Sequence, residues 1–116
     1  MTTPAKTENE LALSPEARGF QHVATVEEIP TDRGFRVKIE NKYIAIFKVD
    51  QKIYAINALC PHAGAFLDMG YMDKHSVICP MHGWDFDVRS GESPTYGIST
   101  SCYETFVEGD AVYVKP

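Results

Sequence analysis

Two short boxes constrain this chain more than anything else in it. Cys60-Pro61-His62 reads C-x-H, and sixteen residues later Cys79-Pro80-Met81-His82 reads C-x-x-H. Each box offers one thiolate and one imidazole. Side chains of these types make one metal site only if both boxes lie on loops that meet at one end of the fold. The boxes hold two of the three cysteines and two of the four histidines in 116 residues.

The rest of the sequence supplies strands to carry such loops. Phe35, Val37 and Ile39 alternate with Arg36, Lys38 and Glu40, the pattern of a half-buried strand. Tyr43–Val49 and Ile53–Ala58 are rich in β-branched and aromatic residues, and Asn41-Lys42 and Asp50-Gln51-Lys52 turn the chain between neighbours. Phe20–Ala24 has strand character, and Val26–Pro30 reads as a bend or helical turn ended by proline. Val77-Ile78 leads into the second box and Trp84–Val88 leads away from it. Tyr103–Val107 and Ala111–Val114 form a closing hairpin about Glu108-Gly109-Asp110. A long 3.6-residue period is absent. The expectation is an all-β, small antiparallel sandwich or barrel with both boxes at one end.

Residues 1–19 mix Thr, Pro, Glu, Asn and Ala without a period, so they are expected to be a flexible N-terminal arm, with the domain over residues 20–116. The length fits one core. Apolar runs stay well short of the roughly 18 residues that would span a bilayer. The first 19 residues lack the apolar stretch of a signal peptide, which predicts a cytoplasmic protein without a membrane partner. A net charge of -5 argues against nucleic acid as a partner and suits docking to a basic patch.

Two kinds of metal group accept two thiolates and two imidazoles. Zinc takes them in a tetrahedron; a 2Fe–2S cluster takes the thiolates on one iron and the imidazoles on the other. Cys₂His₂ zinc fingers put both cysteines in one arm and both histidines in the other. Here each arm is mixed, so each can reach both irons of a binuclear cluster.

Cys60-Pro61-His62-Ala63-Gly64-Ala65 and Cys79-Pro80-Met81-His82-Gly83-Trp84-Asp85-Phe86 resemble the two cluster boxes of Rieske iron–sulfur proteins. Leu67 and Gly70 resemble the L-x-x-G continuation, and Phe86-Asp87, Gly91 and Pro94 the segment leading to a proline-containing third loop. The likeness runs over about residues 20–116. It implies one 2Fe–2S cluster per chain, with Cys60 and Cys79 on one iron and His62 and His82 on the other. It also implies a cluster-binding part over about residues 58–95 and histidine edges facing solvent.

High-potential members of that family carry an extra cysteine in each box, joined as a disulfide. The matching positions here are Ala65 and Met81. Those members also place hydroxyl-bearing serine and tyrosine where this chain has Trp84 and Phe86. Hydroxyl hydrogen bonds toward the cluster sulfurs stabilise the reduced state. Their loss predicts a potential near the low end of the Rieske range, about -150 mV rather than +300 mV. One electron added to a neutral cluster leaves it at -1, so the acidity of the histidines is expected to couple to redox state.

His82 is the last histidine, so a two-histidine, one-carboxylate iron site after the boxes is not expected, and neither is a G-x-G-x-x-G dinucleotide site. The resemblance then implies an electron-transfer protein rather than an enzyme. A flavoprotein reductase fed by NAD(P)H would be its donor and an oxygenase or reductase its acceptor. Alternatives are the small subunit of an assimilatory NAD(P)H-nitrite reductase and a zinc-stabilised interaction module. Ala63, Ala65, Phe66, Leu67, Met81, Trp84 and Pro94 are expected to form an apolar collar around the cluster. Asp68, Asp73, Lys74 and Asp85 are expected on the solvated surface, as are His22 and His75, and Cys102 as a small buried apolar residue.

Overall fold

The structure is a computed structural model and describes residues 14–61, 64–81 and 83–116. The expected arm over residues 1–13, the collar residue Ala63 and both box histidines, His62 and His82, lie outside the described residues. Ser14 to Gly19, read as arm, form a 3₁₀ turn over Glu16–Arg18 beside a buried Pro15. The Arg18 guanidinium caps the Phe106 ring at 4.7 Å, which holds that turn on the sheet.

Among the described residues nine strands follow: β1 Gln21–Thr25, β2 Phe35–Ile39, β3 Lys42–Val49, β4 Lys52–Asn57, β5 Tyr71–Asp73, β6 Ser76–Ile78, β7 Asp85–Asp87, β8 Cys102–Glu108 and β9 Ala111–Lys115. All pairings between them are antiparallel. Six strands form one sheet in the order β1-β9-β8-β4-β3-β2, and β5-β6-β7 form a second. The larger sheet curls into a nearly closed barrel, since Ala24 of edge strand β1 and Ile39 of edge strand β2 meet in one core. This is the all-β architecture expected.

β3 is the wall that both halves share. Successive side chains of a strand point to opposite faces. Ile44 and Ile46 therefore enter the barrel core with Ile53, Ala55, Val112 and Val114. Ala45 and Phe47 enter a second core with Ile56, Ala58, Leu67, Val77, Phe86 and Val88, under the small sheet. A strand buried on both faces reads as a continuous apolar run, as Ile44-Ala45-Ile46-Phe47 does. That second core also contains Cys60 and Cys79. The two boxes thus project from a packed apolar layer rather than from the barrel.

Two expectations fail here. Cys102 is exposed, although its ladder partner Ile56 is buried, and its neighbour Tyr103 packs against the barrel core. Leu67 is fully buried, so it belongs to the core and not to a surface collar. The Leu67–Gly70 spacing has a packing reason: a Cβ on Gly70 would run into the Ile78 carbonyl oxygen.

A candidate iron–sulfur site on two matched turns

The first box closes a loop that leaves β4. Asn57 Oδ1 accepts the Leu59 N–H at 2.9 Å, and the Leu67 N–H returns to the Ala58 carbonyl at 2.6 Å. The second box is the tip of the β6–β7 hairpin, whose last register pair before the turn is Ile78 with Asp85.

The two tips are built alike. The Cys60 N–H donates to the Ala65 carbonyl at 2.7 Å, and the Gly64 N–H to the Cys60 carbonyl at 2.8 Å. The Cys79 N–H donates to the Trp84 carbonyl at 2.7 Å, and the Gly83 N–H to the Cys79 carbonyl at 3.1 Å. In each turn a proline follows the cysteine and a glycine stands four residues on. Gly64 and Gly83 have φ of 69° and 73°, left-handed backbone that a side chain resists. The same turn, used twice, places each thiol at the same point of its loop. Both cysteines are 1% exposed, in one apolar core.

A third segment packs against the second turn. The Trp84 indole stacks on the Tyr96 ring with centroids 4.3 Å apart and planes 7° from parallel. The next residue, Asp85, accepts hydrogen bonds from Ser93 Oγ at 3.0 Å and Thr95 Oγ1 at 2.9 Å. Ser93 Oγ in turn accepts the Tyr96 N–H at 3.2 Å. Asp85 was expected on solvated surface; it is half-buried because these two hydroxyls replace water. Asp68 was expected there too. It is 7% exposed and paired with Arg36 across the loop. His22 is exposed as expected, while His75 is partly covered by the Tyr54 ring, 6.1 Å away. Beyond Asp85, the Arg89 guanidinium hydrogen-bonded to Asp87 holds that carboxyl below its ordinary pKa, against an opposing push from burial.

The two box loops and the third loop carry no charged residue of their own. Residues 57–67, 76–84 and 93–103 contain no Asp, Glu, Lys or Arg. Leu59, Met81 and Tyr96 are exposed on them at 39%, 57% and 46%. Of the expected collar, Met81 and Pro94 are exposed, and Ala65, Phe66 and Trp84 are partly covered. Leu59, Pro61, Pro80 and Tyr96 are exposed members that the sequence reading missed.

Two buried thiols on equivalent turns, each box adding one imidazole in sequence, are a soft, mixed donor set. That set fits a group held by two cysteines and two histidines. A small β domain presenting it at one end meets the needs of zinc or of a 2Fe–2S cluster. Comparison with known proteins narrows this further. Residues 19–98 match the sequence profile of the Rieske [2Fe-2S] domain. The chain is 33% identical over 91 residues to the ferredoxin component of a naphthalene 1,2-dioxygenase system from Pseudomonas aeruginosa, covering 75% of this chain and 86% of that protein. The ferredoxin of carbazole 1,9a-dioxygenase from Nocardioides aromaticivorans IC177 superposes with a TM-score of 0.78 at 28% identity, over 84% of this chain and 97% of that one. A chain in a complex of reduced oxygenase and oxidised ferredoxin of carbazole 1,9a-dioxygenase superposes with a TM-score of 0.75 at 26% identity, over 81% and 99%. This chain belongs to the Rieske [2Fe-2S] domain family. Its cofactor is a Rieske-type 2Fe–2S cluster, which sets aside the zinc reading.

Proposed function

We infer that this protein is the one-electron carrier of an oxygenase system, receiving electrons from an NAD(P)H-dependent flavoprotein reductase and delivering them to the oxygenase. The observation that carries the reading is the pair of matched turns at Cys60 and Cys79, in a chain whose relatives are named as dioxygenase ferredoxin components. Cys60 and Cys79 hold one iron, and His62 and His82 the other. When bound, the cluster stores and releases one electron.

The residues of the chain do the remaining work. The apolar layer of Leu67, Val77, Phe86 and Val88 backs the two thiols and keeps water from them. The exposed side chains of Leu59, Met81 and Tyr96 offer a partner an approach that strips little water from charged groups. Acidic residues outside these loops contribute the overall charge of -5, which steers the domain toward a basic partner face. We place the domain at about residues 20–116, with the cluster-binding part at about 58–95, and the protein in the cytoplasm. Among the described residues no helix is long and apolar enough to cross a membrane.

Electron paramagnetic resonance of the dithionite-reduced protein tests the ligation. A rhombic signal with average g below that of all-cysteine clusters is expected. A colourless protein with stoichiometric zinc would overturn the reading. Reduction by a flavoprotein reductase with NADH, followed by reoxidation on adding an oxygenase, tests the role. Isolation in complex with a large sirohaem-bearing subunit would instead place the chain in a nitrite reductase.

A further inference from the structure

Asp85 stands directly after Trp84, whose carbonyl fixes the Cys79 N–H. Its carboxylate takes one hydroxyl donor on each oxygen, Ser93 Oγ on Oδ1 and Thr95 Oγ1 on Oδ2. Ser93 is 2% exposed, and it organises the third loop from within. Its backbone N–H donates to the Ile98 carbonyl at 2.7 Å, and its carbonyl accepts the Gly97 N–H at 3.0 Å. The same loop ends in the Tyr96 ring that lies flat on Trp84. The loop is therefore attached to residues 84 and 85 by two unlike contacts, a charge-assisted clamp and an aromatic stack. The stack acts on the residue that closes the second box, and the clamp on its neighbour.

We propose that Asp85 is a positioning residue for the cluster site: its carboxylate clamps the third loop, and through the stacked Tyr96–Trp84 pair the clamp sets the backbone conformation at Cys79. This rests on the ligation given above. The clamp contributes two charge-assisted hydrogen bonds, which are stronger than neutral ones. Removing either side frees the loop. The stack then loses its support, and the carbonyl that holds Cys79 gains freedom. The clamp acts through the loop, so deleting the donors must copy deleting the acceptor.

The test uses the cluster-loaded protein and four variants: Asp85→Ala, Asp85→Asn, the double Ser93→Ala/Thr95→Val, and the triple combining Asp85→Ala with that double. Deuterium exchange over residues 93–98 and 79–84, cluster loss in air and the reduced EPR signal are read on each. Asp85→Ala and the double are each expected to speed exchange over 93–98 at least tenfold. Both should speed cluster loss at least threefold and displace the same g component. The triple should be no worse than either, because the parts form one unit. Asp85→Asn keeps one of the two acceptors and loses the charge, so its readings should fall between those of the parent and of Asp85→Ala. A shifted signal in Asp85→Ala with an unchanged one in the double would overturn the proposal, since charge alone would then be acting. Faster loop exchange with unchanged 79–84 exchange and unchanged g values would overturn it too. If Asp85→Ala does not fold, the double alone decides by the same readings. Parent protein without iron would sink the functional reading only; exchange over 79–84 in the variants would still show whether the clamp holds the second box.

Discussion

The Nε of Arg36 lies 3.1 Å from both carboxylate oxygens of Asp68. Its guanidinium carbon sits 3.6 Å from the centre of the Phe66 ring, which meets Tyr43 edge-on at 5.4 Å. Phe66 and Asp68 are the residues where the first box loop returns to the fold. An outward-facing arginine of β2 thus grips that loop by a charge and by a ring. The second box has its own brace in the third loop, so each cluster turn is held from outside as well as by its own backbone.

Removing Arg36 leaves the carboxylate of Asp68, which is 7% exposed, without its cation. Arg36→Ala is expected to cost on the order of 1–3 kcal/mol of stability, since a buried charge loses its partner. Arg36→Lys should recover only part of the loss, because an ammonium lacks the planar face that lies over Phe66. Thermal unfolding of the cluster-loaded variants, compared at one pH and salt concentration, checks this; equal midpoints for parent and Arg36→Ala would refute it.

Phe86 is fully buried and Trp84 is engaged with Tyr96, and neither carries a hydroxyl. The midpoint potential is therefore expected near about -150 mV, at the low end for Rieske centres. Potentiometric titration monitored by the visible spectrum measures it. A value above about +100 mV, well up the same range, would show that other donors replace the missing hydroxyls.

How much of this was legible beforehand depended on the range of the interaction. β3 declared itself because burial on both faces leaves an unbroken apolar run. The boxes declared themselves because their chemistry is rare. β5 did not: Tyr71–Asp73 is too short to show a period, and only its pairing with β6 makes it a strand. The burial of Asp68 depends on Arg36, 32 positions away, and that of Asp85 on hydroxyls 8 and 10 positions on. A local reading sees only a charged residue and assigns it to solvent. Cys102 was misjudged for a related reason, since residue type alone does not decide whether a strand position is covered.

Cys79→Ala should abolish the cluster, with iron falling from two per chain to background, because ligation joins the two turns. The core around the missing thiol is apolar, so the domain itself should persist with loosened turns. Iron analysis and deuterium exchange over residues 60–83 report the two effects separately. Retained iron at the parent level would refute the assigned ligand.

Asp87 gives a pH signature. Its native pKa lies below the ordinary carboxylate value, chiefly through the Arg89 hydrogen bond, whose Nη2 is 2.7 Å from Oδ2. A depressed native pKa means that the contribution to stability is fully present above the unfolded pKa of about 3.9. It is lost as pH falls through the lower native value. Arg89 is 53% exposed, so solvent screens the pair and the effect is small. Asp87→Asn should lower the thermal midpoint by a few degrees at most at pH 7, and the gap should close as pH falls below about 4. It should also narrow in high salt. A gap that widens toward acid would mean that the native carboxyl is the weaker acid, and would overturn the pairing as its cause.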